Sequence, residues 1–191
     1  PMMSSRDVAA KHATDWREGW WEGAKRAHCV NFDARPSGTR PELIVLHHIS
    51  LPAGCFEGET VLDFFANRID ASTRPELASM AHLRVSAHFF VRRGGEVIQL
   101  VSTENRAWHA GVSTWRGRSA CNDFSIGIEI EGDAVASFTQ EQYDALNALL
   151  ASMASAYGIS AVTTHSEIAP GRKVDPGPTF DWTLLHRRWA V

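Results

Sequence analysis

Apolar positions in this chain fall into short runs, and the runs change period along the sequence. "LIVLHHIS" (43–50) is a continuous apolar run rich in branched side chains, which predicts a buried strand with His47 at its end. "VLDFFANRI" predicts a helix with Thr60 as its N-cap. "SAHFFVRRGGEVIQLVS" reads as two strands joined around Gly94-Gly95. "FSIGIEIEGD" alternates strictly, so Ile126, Ile128 and Ile130 face one way and Gly127, Glu129 and Glu131 the other. "TQEQYDALNALLASMASAYG" switches to the helical period, with Tyr143, Leu146, Leu149, Leu150, Met153 and Tyr157 apolar. Thr139 and Gln142 form a capping box, and Gly158 suits the C-cap. "ISAVTTH" predicts another strand, and "DWTLLHRRW" a closing helix. Upstream of Pro41 the chain is polar and irregular, except that Trp16, Trp20 and Trp21 share one helical face. That spacing predicts a helix near Asp15–Arg26 docked on the domain.

The order strand, helix, hairpin, strand, helix, strand, helix predicts an α/β (α+β) fold, a single mixed β-sheet flanked by helices. No repeat, low-complexity tract or linker divides the chain. Residues 1–191 are therefore expected to form one domain, with 1–40 an N-terminal extension whose short helix packs on it.

Composition adds limits. The chain has 191 residues, 44% hydrophobic and 21% charged, which suits a folded domain with a sizeable core. A net charge of -3 offers no basic footprint, so no nucleic-acid partner is expected. No apolar run reaches the roughly 18 residues that would span a bilayer, and the N-terminal stretch lacks the apolar core of a secretory signal. Cys29, Cys55 and Cys121 are odd in number, widely spaced and without a CxxC. They are expected to be unpaired, small buried hydrophobes in a reducing compartment.

There are nine histidines. His12, His28 and His186 lie in polar or helical contexts, and His82 and His88 are expected to be partly buried and satisfied. His47 and His165 each close an apolar strand. Asp175 follows in "THSEIAPGRKVDPGP" (164–178), whose prolines and glycines predict a rigid loop, neither helix nor strand. Two imidazoles and a carboxylate suit Zn²⁺ with a fourth position left for water; the spacing alone also admits structurally satisfied histidines. Glu129, between two isoleucines, is costly unless it faces a polar cavity or solvent. It fits a general base or an open sheet face; the open sheet face is also the reading for Glu131. Lys173 fits an oxyanion-stabilising charge or an exposed loop lysine. "GVSTW" lacks the second glycine of a nucleophile elbow, Cys121 has no cysteine-protease signature, and neither a P-loop nor a GxGxxG precedes a helix.

"LIVLHHISLPAG", "HLRVSAHFFVRRGGEVIQLV", "RAWHAGVS", "GRSACNDFSIGIEIEG" and "HSEIAPGRKVDPGPTFDW" together resemble the zinc-dependent N-acetylmuramoyl-L-alanine amidases of the AmpD type, within the amidase and peptidoglycan-recognition fold. The resemblance covers nearly the whole chain. It implies Zn²⁺ on His47, His165 and Asp175, a catalytic Glu129 and a catalytic Lys173. Asp175 favours the AmpD-like branch, since other relatives carry cysteine there. The implied reaction is hydrolysis of the amide between the lactyl group of (1,6-anhydro)-N-acetylmuramic acid and L-alanine, with a muropeptide substrate, in a cytoplasmic monomer. Arg84 matches a position suited to bidentate carboxylate capture, and equally fits a surface arginine; Trp108 and His109 fit the lining of the implied cleft, with a buried core tryptophan the other reading of Trp108. His48 stands where such relatives carry Asn; because adjacent strand residues point to opposite faces, a pocket role is expected rather than a fourth ligand. Ala120 replaces an expected arginine, with Arg118 nearby. The N-terminus is longer by roughly a dozen residues. An exported amidase acting on intact peptidoglycan, or a non-catalytic peptidoglycan-binding receptor, are the other implied readings.

Overall fold

The computed structural model describes residues 15–191; His12 lies outside the described residues. The described residues begin with three short strands, β1 (Trp16–Arg17), β2 (Trp20–Trp21) and β3 (Lys25–Arg26), where the tryptophan spacing predicts a helix. Glu18 and Gly19, both at positive φ, make a tight hairpin turn instead, so Trp16 pairs with Trp21 and Arg17 with Trp20. Trp16 stacks on Trp21, meets Phe89 and Tyr157 edge-on, and donates its indole N–H to Ser152 Oγ.

β4 (Phe32–Ala34) leads to β5 (Leu43–Ile49), and His47 lies two residues inside the strand's end rather than at it. Helix α1 (Thr60–Phe65) is shorter than expected. Glu59, not Thr60, occupies the N-cap, and Asn67 at positive φ follows its end. β6 (Phe89–Val91) and β7 (Val97–Gln99) are the expected antiparallel pair around Gly94-Gly95. β8 (Asn105–Ala107), β9 (Thr114–Trp115) and β10 (Arg118–Ser119) precede the seven-residue β11 (Ser125–Glu131). Helix α2 (Gln140–Tyr157) has the expected reciprocal Thr139–Gln142 capping box and Gly158 at its C-cap. β12 (Ala161–Thr164) runs into α3 (His165–Ile168), a single helical turn in a segment whose composition predicts none. Thr164 caps it, its Oγ1 accepting from Glu167 N–H at 3.2 Å.

The sheet order is β12-β5-β11-β6-β7-β3. β12, β5, β11 and β6 run parallel and β7 antiparallel to β6, giving a mixed sheet. One face carries Ile44, Leu46, Ile126, Ile128 and Ile130, packed against Leu146, Leu149, Leu150 and Met153 of α2. Burying each such side chain contributes about 1.5–3 kcal/mol. The other face carries Phe90 and Ile98 under α1, and Leu43 and Val45 near Phe124 and Ile168. Glu131 lies on this face fully buried, so it is not at an open sheet face. The Arg92 guanidinium pairs with it through Nη2 at 3.0 Å, and the Arg93 backbone N–H donates to it at 3.1 Å.

The expected C-terminal helix is only a short turn at Trp182–Leu184. Asn147 of α2 captures the Leu184 carbonyl and the His186 N–H, and the chain end then extends so that Ala190 bridges to Ala161 at the sheet edge. The three cysteines are free; Cys29 and Cys121 are buried, but Cys55 is exposed on the turn after β5. His82 is also exposed, whereas His88 is wholly buried.

A candidate metal centre and its cleft

Parallel pairing of β5 with β11 puts His47 directly opposite Glu129, on one face of the sheet. On the other side of β5, Thr164 pairs with Leu46, so His165 emerges one residue further along, level with His47. All three side chains leave the carboxyl end of parallel strands, where open α/β sheets place their ligands. Asp175 comes back to the same point because the loop after α3 is tied at both ends. Ser166 N–H donates to the Asp175 carbonyl at 3.1 Å, and Arg172 Nη2 donates to the carbonyls of Ala110 and Val112 at 2.6 and 2.8 Å.

The result is a triangle of ligand atoms. His47 Nδ1 is 3.0 Å from His165 Nδ1 and 3.1 Å from Asp175 Oδ2, and His165 Nδ1 is 3.3 Å from Asp175 Oδ2. These three residues form the one His/Cys/Asp/Glu group able to hold a metal ion among the described residues. Four ligands bonded tetrahedrally at about 2.0 Å stand about 3.3 Å apart, so the observed edges fit a zinc-sized ion with one position open. The proton inventory agrees. His165 Nε2 lies 3.0 Å from the Ala110 carbonyl, which only accepts, so that nitrogen carries the hydrogen and Nδ1 presents a lone pair. A cation is the natural occupant of a point where lone pairs converge.

Electrostatics point the same way. Burial lowers the His47 imidazole to about 4, against the pull of Asp175, so it is neutral near pH 7. Burial alone would raise the Asp175 carboxyl, but hydrogen bonds to His165 and His47 outweigh it and hold it far below the usual carboxylate range. Glu129 is the opposite case. Burial, reinforced by the charge of Asp175 and opposed by Lys173, pushes its carboxyl well above the usual range. Its Oε1 is 3.8 Å from His47 Nδ1, and its buried Oε2 has no hydrogen-bond partner among the described residues. A carboxyl poised to hold or release a proton beside a metal position suits general-base work.

Glu129, Lys173, Asp175, His48, Trp108 and His109 all line one open cavity of about 420 Å³. His48 is not among the converging ligands; it sits at the cavity wall, its Nε2 buried without a partner among the described residues. Trp108 is half-buried rather than core, and its indole N–H donates to Asp33 Oδ1 at 3.2 Å. Arg84 lies at an adjoining pocket with Trp108, Arg172 and Lys173; among the described residues its exposed guanidinium reaches only the carbonyls of Ala81 and Leu83. Three residues that shape the site escape sequence reasoning. Asn122 Oδ1 accepts from the backbone N–H groups of both His109 and Ala110, Ser125 Oγ meets His109, and Arg172 straps the loop. Asn122 and Ser125 fall within "CNDFS", a stretch already conspicuous in the sequence.

A further imidazole lies behind the site. His88 is wholly buried; its Nδ1 accepts from Gly127 N–H at 3.0 Å and its Nε2 faces the Asn105 carbonyl at 2.9 Å, an arrangement that requires the neutral ring. Burial, then the Arg35 charge, lower its pKa to about 3. With the folded value below the unfolded one of about 6.5, this contribution is complete above pH 6.5 and is lost as pH falls toward 3. We expect stability to fall by at most about 1.4 kcal/mol per pH unit below 6.5 from this group. Urea denaturation at pH 7 and pH 5 checks it: His88→Gln should show a shallower drop, and an unchanged drop would contradict the assignment.

Comparison with known proteins places this geometry in context. The family model described as N-acetylmuramoyl-L-alanine amidase matches residues 37–178. The chain is 48% identical over 167 residues to the 1,6-anhydro-N-acetylmuramyl-L-alanine amidase AmpD of Citrobacter freundii, covering 86% of this chain and 89% of that one. It is 40% identical over 171 residues to AmpD of Haemophilus influenzae, covering 88% and 93%. A crystal structure of AmpD superposes with TM-score 0.86 at 47% identity, covering 88% of this chain and 96% of that one. A complex of the Escherichia coli amidase AmiD with the substrate anhydro-N-acetylmuramic acid-L-Ala-D-gamma-Glu-L-Lys superposes with TM-score 0.57 at 30% identity, covering 79% and 59%.

Proposed function

The chain belongs to the N-acetylmuramoyl-L-alanine amidase family, and from that premise we propose that it hydrolyses the amide between the lactyl group of 1,6-anhydro-N-acetylmuramic acid and L-alanine in soluble muropeptides. The observation that carries the reading is the triangle of His47, His165 and Asp175 with Glu129 on the adjacent rung of the sheet. Supporting it are the AmpD relatives and the anhydromuramyl-peptide complex among the structural neighbours. His47, His165 and Asp175 would hold Zn²⁺. When bound, that ion supplies Lewis-acid polarisation and makes water acidic near neutral pH.

The protein's own groups do the rest. Glu129 takes a proton from the attacking water and returns it to the departing amine of L-alanine. Its Oε2, without a hydrogen-bond partner among the described residues, can take up that proton, and burial leaves the carboxyl ready to keep it. Lys173, at the cavity wall, sets a positive charge where the carbonyl oxygen becomes an oxyanion. His48, Trp108 and His109 wall the cleft around the scissile bond. Arg84 captures a carboxylate of the peptide half from the adjoining pocket. We expect Arg84→Ala to raise KM about 10- to 100-fold on peptides bearing the second-residue carboxylate, the worth of a charged hydrogen bond. Kinetics on a peptide lacking that carboxylate is the control, and an equal loss there removes the role.

Free thiols fit a reducing compartment, so we assign the activity to cytoplasmic recycling of wall fragments. Incubation with anhydro-muropeptide and with intact sacculi, with and without a chelator, tests the whole reading. Chelator-sensitive release of peptide from the soluble fragment is expected. Release from sacculi alone would favour an exported wall amidase, and binding without release a receptor.

A further inference from the structure

Both candidate histidine ligands turn their second ring nitrogen to the same two-residue segment. His165 Nε2 meets the carbonyl of Ala110 at 3.0 Å, and His47 Nε2 meets the imidazole Nδ1 of His109 at 2.9 Å. The segment is gripped from behind, since Asn122 Oδ1 accepts from the His109 and Ala110 N–H groups at 3.0 and 2.8 Å. The His109 ring is buried, stands at 89° to the His47 ring, and ends on Ser125 Oγ at 3.1 Å through its Nε2. β11 leaves room for it by having no side chain at Gly127: a Cβ there would stand 2.5 Å from His109 Cγ.

One proton lies between His47 Nε2 and His109 Nδ1, and the surroundings decide its owner. If His109 donated it, neutral His47 would carry its own hydrogen on Nδ1, pointed at the metal position. If His47 donates it, Nδ1 presents a lone pair to join those of His165 and Asp175, and His109 passes its Nε2–H to Ser125 Oγ, which accepts freely. We propose that His109 is a positioning residue that accepts the Nε2–H of His47, with Ser125 as the terminal acceptor, and so holds the Nδ1 lone pair of His47 on the metal position. Ligand histidines ordinarily find a carboxylate, carbonyl or water for this purpose; here a second imidazole takes that place. This role is distinct from lining the cleft, and it rests on the metal-site reading above.

The test measures zinc affinity, by competition with a chromogenic chelator, for the 191-residue chain and two variants. In His109→Asn the amide oxygen takes the place of ring Nδ1 and can still accept. In His109→Leu the same volume accepts nothing. We expect His109→Leu to bind zinc about 10- to 100-fold more weakly and His109→Asn to recover most of that loss. Equal affinities for the two variants would overturn the proposal while leaving the metal site standing. A wild-type chain that binds no zinc would overturn the metal site and the proposal with it. Nitrogen-15 spectra of the zinc-loaded wild type decide the same point without a variant. The hydrogens of His47 and His109 should both sit on Nε2, and a hydrogen on His109 Nδ1 would overturn the proposal.

Discussion

Glu129→Gln should lose roughly 100- to 10,000-fold in kcat, the range ordinarily attached to a general acid–base group, while the protein keeps its zinc. The two properties separate because Glu129 is on the rung beside His47 but outside the triangle of ligand atoms. The substitution should also leave stability unchanged or improved. Burial already disfavours the charged carboxylate, and an amide of the same shape escapes that cost. Single-turnover kinetics, metal analysis and a thermal melt on one preparation give the three readouts. A variant with kcat within about threefold of wild type would remove Glu129 as the base.

His165→Ala should abolish zinc binding at concentrations that saturate the wild type, and activity should go with it. The reason is geometric as well as chemical. His165 supplies one corner of the triangle, and its Nε2–H to Ala110 holds that corner in place. Adding zinc to metal-stripped wild type at about 100 times its Kd should raise stability by about 2.7 kcal/mol, visible as a higher melting temperature. The His165→Ala chain should show no such shift. A shift equal to that of wild type would exclude His165 as a ligand.

Much of the framework was legible in the sequence because period-2 and period-3.6 patterns are strong where one face is buried. The alternation of β11 correctly put Glu129 opposite its isoleucines, and α2 has the capping box and glycine cap that its ends announce. Errors gathered where local signals compete. Trp16, Trp20 and Trp21 fit a helical face, but Glu18-Gly19 turns the chain into a hairpin, and two-residue turn chemistry outweighs three aromatic positions. "DWTLLHRRW" has helical composition, yet Asn147 and the edge of β12 offer its backbone better partners. The convergence of His47, His165 and Asp175 was suggested by residue type, but its geometry depends on strand order. No spacing along the chain encodes that β12 and β11 flank β5. The same holds for Asn122, which acts through a backbone 12 and 13 residues away.

The pairing of Glu129 with His47 ties the site to the register of the central strands. Side chains alternate along a strand, so a one-residue slip between β5 and β11 would set Glu129 against a neighbour on the opposite face and turn one partner in among the isoleucines under α2. A misregistered chain could not assemble the triangle and its neighbouring carboxyl at the same time. The register that buries the isoleucines under α2 is thus the same one that sets His47 and Glu129 side by side.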